Sequence, residues 1–232
     1  MAKKKKVFIA IGHGGSDPGA VANGIKEKDA ALVIGMSCVA ELKRHGVEVL
    51  ASRYTDENDP LEQRIKECNA FNPDVAVDLH LNAGKGDGAE VFHHYGGGAS
   101  KTLAKNIANA LKAAGQNLRT GDSGKKDGLK TKRNADGRDY FGFIRQTVCP
   151  ACIVEHAFLD NKEDVKIVDT EAEQKAMGVA DAKGILKYLG IKWKAPEKPV
   201  YTVTVTKLTA TQASALVKEL KKDGYTAKKA KA

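Results

Sequence analysis

Four side chains able to hold a metal or move a proton stand out: His13, His80 and Glu155 at or just past the ends of apolar runs, and Glu27 at the entry of the first expected helix. Two imidazoles and a carboxylate suit a catalytic zinc, because three protein ligands leave the fourth tetrahedral position to water. On that reading His13, Glu27 and His80 are the Zn2+ ligands, and Glu155 is the general base that takes a proton from the water. Each residue also has a plainer explanation. Glu27 can be a charge favoured at a helix start, His80 a core histidine, and Glu155 the partner of a lysine. The last is the least comfortable, because a carboxylate ending a run as apolar as ACIVE is costly to bury unpaired. No short H-x-x-x-H motif ties the candidates together, so spacing alone leaves both readings open.

The elements that must position these residues begin with VFIAIGHGGSDPGA, Val7 to Ala20. Its apolar opening suits a strand buried on both faces, and the glycines after it permit a sharp turn that carries His13. The stretch looks like a phosphate loop, but it lacks a Gly-Lys-Ser/Thr ending and the spacing of a dinucleotide fingerprint. Lys26 to His45 has helical spacing of Val33, Met36, Val39 and Leu42, with Gly46 as its stop. A strand is expected over Val47–Ser52, a helix from Pro60 to Asn72-Pro73, and strands over Val75–Leu81 and Ala89–His94. Ser100 is expected to cap a third helix that ends at Gly115. Residues 116–145 read as a long surface loop, Ala151–Glu155 as the last core strand, and Thr170 with Glu173 as the capping box of a closing helix to about Gly190. This alternation indicates an α/β fold with a mostly parallel central sheet flanked by helices. It brings His13, His80 and Glu155 to the carboxyl edge of that sheet, where open α/β sheets hold their ligands, with Glu27 at the start of the first helix.

Residues 1–191 form the expected main domain, 192–199 a Pro- and Lys-containing linker, and 200–232 a small strand–helix–strand unit. In that unit Tyr201, Val203 and Val205 alternate as a strand. Thr209 with Gln212 caps a helix bearing Ala213, Leu216, Val217 and Leu220, and a second strand is expected near Tyr225. So small a unit rarely folds alone, so it is expected to dock on the first domain, to pair with another copy into a homo-oligomer, or to stay partly unfolded.

The chain of 232 residues carries 38 Lys and Arg against 29 Asp and Glu, a formal charge of +9. That excess favours anionic partners, but no aromatic-studded basic groove argues for nucleic acid. No apolar run approaches the roughly 20 residues of a membrane span. The MAKKKK start followed by five apolar residues imitates a signal peptide but is too short for one, so synthesis in the cytoplasm is expected. Four cysteines do not make a disulfide framework in a chain this long. Cys149-Pro-Ala-Cys152 leads into an apolar strand rather than a helix, so its thiols read as structural.

Several segments together resemble the zinc-dependent N-acetylmuramoyl-L-alanine amidases of cell-wall turnover and phage lysis. GHGGSDPG matches the family's G-H-G-G-x-D-x-G, and Glu27 in GIKEKDAAL its glutamate before the first helix. VLASRYTDEND matches a strand closing in Arg with an acidic turn, and RIKECNAFNPD an R-x-x-x-x-N helix. DLHLNA resembles S-x-H-x-N-A, with Asp78 in place of the usual small residue, and GAEVFHHY the strand that follows. PACIVEHAFLDNKED resembles P-A-x-L-x-E-x-G-F-x-x-N-x-x-D, with Ala157 for the usual glycine.

The resemblance covers about residues 6–190. It implies zinc on His13, Glu27 and His80, Glu155 as the catalytic carboxylate, and peptidoglycan as substrate, cut between N-acetylmuramic acid and L-alanine. Asn82 and residues 116–145 are the candidates for gripping glycan or peptide, whereas His93, His94 and His156 are expected outside the metal site. The competing functions are a zinc peptidase cutting within the stem peptide and a non-catalytic wall-binding protein. With no signal peptide in view, a phage or prophage lysin that acts on the wall after release is expected over an exported autolysin. Residues 199–232 resemble half of a sporulation-related repeat, and their lysines suit anionic wall polymers.

Overall fold

The computed structural model describes residues 4–197, 204–222 and 228. The chain divides into two compact units, Met1–Lys194 and Ala195–Ala232.

In the first unit the elements run β1 (Lys6–Ile11), β2 (Val21–Ala22), β3 (Ile25–Lys26), α1 (Glu27–Arg44), β4 (Glu48–Ala51) and α2 (Leu61–Phe71). They continue with β5 (Val75–Asn82), β6 (Glu90–His93), α3 (Gly98–Ala113), β7 (Leu129–Lys130), α4 (Gly142–Gln146) and β8 (Ala151–Phe158). A 3-10 turn over Asp164–Ile167 and α5 (Glu171–Tyr188) close the unit. The central sheet has the order β4-β1-β5-β8-β6-β7. β4, β1, β5 and β8 are mutually parallel, β6 turns antiparallel to β8, and β7 is parallel to β6. The mostly parallel α/β sheet is therefore present, with β6 running against its neighbour.

Successive side chains of a strand point to opposite faces, and β1 shows the consequence for a strand buried on both. Val7, Ile9 and Ile11 join the larger core beneath α1, α3 and α5, while Phe8 and Ala10 join a smaller one with Ile65 of α2 and Phe143 of α4. β5 divides in the same way. Val75, Val77, Leu79 and Leu81 enter the large core, which leaves Ala76, Asp78 and His80 on the face towards α2.

The local signals work where chemistry dictates one outcome. Thr170 and Glu173 form the full capping box of α5, each side chain bonding the other's backbone. Asn72 ends α2 in the left-handed conformation, at φ 50°.

Two expectations need correction. Ser100 is not a cap, because α3 already begins at Gly98. Its hydroxyl instead donates to the Ala151 carbonyl at 2.6 Å and accepts from His94 N–H at 3.0 Å, fastening α3 to the sheet. Residues 116–145 are not one open loop, since they contain β7 and the start of α4. Of the cysteines, Cys38, Cys68 and Cys152 are buried free thiols and Cys149 is half-buried.

In the second unit α6 (Ala210–Lys222) is described. Thr209 and Gln212 bond reciprocally at its start, as the pattern predicts. Ala213, Leu216, Val217 and Leu220 are half-exposed amid exposed neighbours, so the expected face is real. Tyr201, Val203 and Tyr225, which carry the two expected strands, lie outside the described residues; Thr204–Thr206 are described and are not strand. Among the described residues no helix is long and apolar enough to cross a membrane.

Candidate metal centre

The carboxyl ends of β1, β5 and β8 meet the start of α1 at one edge of the sheet, and three of the four singled-out side chains converge there. One ligand atom from each of His13, Glu27 and His80 lies within 4.8 Å of the others. Glu27 Oε2 is 3.1 Å from His13 Nε2, and Glu27 Oε1 is 3.0 Å from His80 Nδ1. Two ligands on one tetrahedral zinc with bonds near 2.0–2.1 Å stand about 3.3 Å apart, so the spacing fits that ion.

Glu27 is the first residue of α1, where a carboxylate is welcome, yet its side chain does not simply face the helix dipole. It is buried, and it accepts from Ala20 N–H at 2.9 Å and Leu81 N–H at 3.0 Å. Burial alone would raise its pKa, but the His13 and His80 imidazoles hold it well below the usual carboxylate range. Both imidazoles are shifted up in turn. Burial opposes their charging, yet Glu27 and Asp17 prevail at His13, and Asp78 and Glu27 at His80.

The outward nitrogens are also held. His13 Nδ1 lies 2.8 Å from Asp17 Oδ2, and His80 Nε2 lies 3.2 Å from Asp78 Oδ1. A carboxylate behind a ligating imidazole fixes its tautomer and orientation, the arrangement that accompanies metal-bound histidines. The nitrogens nearest Glu27, His13 Nε2 and His80 Nδ1, are the ones each ring could offer to a metal.

The backbone around the site is specialised to let these groups meet. His13 sits at φ 60°, a conformation uncommon outside glycine and one that tends to mark functional sites. A Cβ on Gly12 would fall 2.4 Å from the His80 ring, and one on Gly19, at φ 64°, would fall 2.5 Å from Glu27 Oε2. Arg53, 1% exposed, donates to the carbonyls of Ile11, Gly12, Lys28 and Thr55, which ties the end of β1 to the first turn of α1. The acidic turn after it pins the glycine loop: Asp56 accepts from Gly15 N–H at 2.7 Å and Asn58 from Ser16 N–H at 2.9 Å.

Glu155 stands beside this group. It is the register partner of His80 on one side and of Glu90 on the other. Its Oε2 is buried and has no hydrogen-bond partner among the described residues. Burial pushes its pKa up, His80 opposes, and Glu27 and Glu90 add to the rise, leaving it at about 7. A carboxyl that titrates near neutrality, with one oxygen unclaimed, is equipped to take and return a proton.

Asn82 ends β5 after an irregularity in the β5–β8 register. Its amide donates to Glu90 Oε1 at 2.8 Å and its oxygen accepts from Ala83 N–H at 2.9 Å, so the protein already occupies both ends. His93, His94 and His156 lie outside the metal group. His93 bonds the His94 carbonyl, His94 bonds Asp139, and His156 is fully buried between the His80 carbonyl and Asp181 of α5. The sequence pattern does not reveal Asp17, Arg53, Arg64 and Glu90 as supports of the site. All four fall inside the motifs quoted above, but their partners are set by the fold.

Residues 7–187 match the family model described as N-acetylmuramoyl-L-alanine amidase. The chain is 30% identical over 225 residues to the N-acetylmuramoyl-L-alanine amidase CwlM of Bacillus licheniformis, covering 96% of this chain and 83% of that protein. It is 32% identical over 200 residues to the endolysin of Bacillus phage SPP1, covering 84% and 71%. Among solved structures it is similar to the N-acetylmuramoyl-L-alanine amidase AmiC2 of Nostoc punctiforme, at TM-score 0.69 and 30% identity, covering 82% of this chain and 99% of that one.

Proposed function

The chain belongs to the N-acetylmuramoyl-L-alanine amidase family, and we propose that it cuts its peptidoglycan amide with zinc held by His13, Glu27 and His80 and with Glu155 as proton carrier. Its substrate is peptidoglycan, and the bond is the amide joining the lactyl group of N-acetylmuramic acid to L-alanine of the stem peptide. The observation that carries the site assignment is the convergence of three ligand atoms beside Glu155 Oε2, which has no hydrogen-bond partner among the described residues.

Zinc, when bound, supplies a Lewis acid that lowers the pKa of water and polarises the scissile carbonyl. Glu155 accepts the proton of the attacking water as the oxygen adds to the carbonyl carbon. The C–N bond then breaks, and Glu155 returns that proton to the departing L-alanine nitrogen. The products are a lactyl carboxylate and a free amino terminus. Glu27, His13 and His80 stay fixed throughout, restrained by Ala20 N–H, Leu81 N–H, Asp17 and Asp78.

Mass spectrometry of purified peptidoglycan after digestion tests the reaction. Free L-alanine amino termini on intact stems are expected. Cut stem peptides would make the protein a peptidase, and no new ends would make it a binding protein.

We also infer delivery as a lysin released through a membrane lesion, supported by the likeness to the SPP1 endolysin. Finding the protein in the wall fraction of intact, non-lysing cells would overturn that route. Residues 200–232 complete the proposal as a wall-binding or self-pairing module, supported by the lysines and the half-exposed apolar face of α6.

A further inference from the structure

Asp78 is 2% exposed, Arg64 of α2 is 8% exposed, and the two are 3.1 Å apart. Taking two charges out of water costs several kcal/mol per ion, and apolar replacements of such pairs are frequently neutral or stabilising. A stability role alone therefore explains this pair poorly. The same Oδ1 that receives Arg64 Nη1 also lies 3.2 Å from His80 Nε2. Asp78 and His80 are two residues apart on one strand and so share a face, which places the carboxylate directly behind the ring. Space for it comes from Ala10, its small register partner on β1. Arg64 also faces Asp59: its Nε is 3.5 Å from Asp59 Oδ2, an ion pair without a hydrogen bond, and that oxygen accepts from Ser52 Oγ at 2.6 Å.

We propose that Asp78, held by Arg64, is a positioning residue for the metal ligand His80, fixing its ring so that Nδ1 is offered beside Glu27. The proposal rests on the zinc assignment above. It concerns a position where this chain departs from the small residue of the resembling motif. Asp78 touches neither substrate nor the reacting atoms and acts through His80. Removing a partner of this kind lowers metal affinity by about 10- to 100-fold.

The test measures zinc affinity by chelator competition on full-length wild type, Asp78→Asn, Arg64→Gln/Asp78→Asn and His80→Ala, with the visible spectrum of each cobalt-loaded protein. The double variant replaces the buried ion pair by two neutral amides, so it keeps the comparison available if Asp78→Asn alone folds poorly. We expect zinc to bind about 10- to 100-fold more weakly to both Asp78 variants, with altered cobalt spectra, although the metal-free double variant unfolds near the wild-type temperature. A merely structural pair would change unfolding and leave affinity and spectrum alone. Affinity within about threefold of wild type in the double variant, while His80→Ala loses metal, overturns the positioning role only. Undiminished zinc binding by His80→Ala overturns the zinc assignment, and the role of Asp78 with it.

Discussion

Glu155 and His80 face each other across the parallel β5–β8 pair, one strand supplying a proposed metal ligand and the next a carboxylate whose Oε2 has no hydrogen-bond partner among the described residues. The two can be separated by mutation. Glu155→Gln preserves size and leaves the three ligands intact, so zinc content measured by atomic absorption is expected to match wild type. Turnover of purified walls should fall by about 10²- to 10⁴-fold, the range of a lost general base. A variant that keeps near-normal turnover would remove Glu155 from the mechanism.

The same carboxyl makes the metal-free protein sensitive to pH. Its pKa is about 7 when folded, against an ordinary 4.5, so the native state holds the proton more tightly than the unfolded state. The contribution of Glu155 to stability therefore falls as pH rises from about 4.5 to 7 and is level above that. The shift of about 2.5 units bounds the loss at roughly 3 kcal/mol, with solvent at the partly open site making it smaller. Urea unfolding of chelator-treated protein should show Glu155→Gln gaining on wild type between pH 5 and pH 8. A difference between the two proteins that does not change with pH would refute this.

Gly12 tests the closeness of the site. An added methyl group would lie 2.4 Å from Cε1 of the His80 ring, so either the ring or the end of β1 must shift. Gly12→Ala is expected to cost about 1–3 kcal/mol in stability, as overpacking does, and to weaken zinc binding as well. Equal zinc affinity in the variant, measured by competition, would show that the ring has room to spare.

Gly12 meets the His80 ring only in the folded chain, and that separates what the sequence discloses from what it conceals. Strands buried on both faces are visible as apolar runs, and polar residues that interrupt them stand out, which is how His80 and Glu155 are found. The capping boxes at Thr170 and Thr209 are local chemistry and appear where expected. Contacts made by folding are not visible in this way. Nothing near Asp78 announces Arg64, since they meet only when α2 covers β5, and Arg53 reads as a strand end until four carbonyls converge on it. Ser100 misleads for a related reason. Its hydroxyl has better partners in the sheet than at a helix start, and the preceding glycines begin α3 earlier.

The catalytic unit ends beyond the region that carries the family resemblance. The resembling region stops near Gly190, but the compact unit continues to Lys194. Trp193 explains the difference. Its indole N–H donates to Glu41, its ring stacks on His45 at 6.5 Å between centroids, and Lys183 Nζ sits 4.2 Å above it. Lys194 adds two backbone bonds, accepting from Arg44 at 2.5 Å and donating to His45 Nε2 at 2.9 Å. A chain ending at Lys194 should therefore melt like the full-length catalytic unit. One ending at Gly190 loses a half-buried tryptophan and leaves Glu41 without that donor, a cost of about 1–3 kcal/mol. For a unit of this size that corresponds to a melting temperature lower by roughly 3–10 °C. Both fragments should retain zinc and cut soluble muropeptides. If residues 200–232 target the wall, both should also bind walls less well than the intact chain, with the intact chain's advantage shrinking as salt screens its lysines. Equal melting of the two fragments would assign no role to Trp193, and unchanged wall binding after either cut would end the targeting role of the tail.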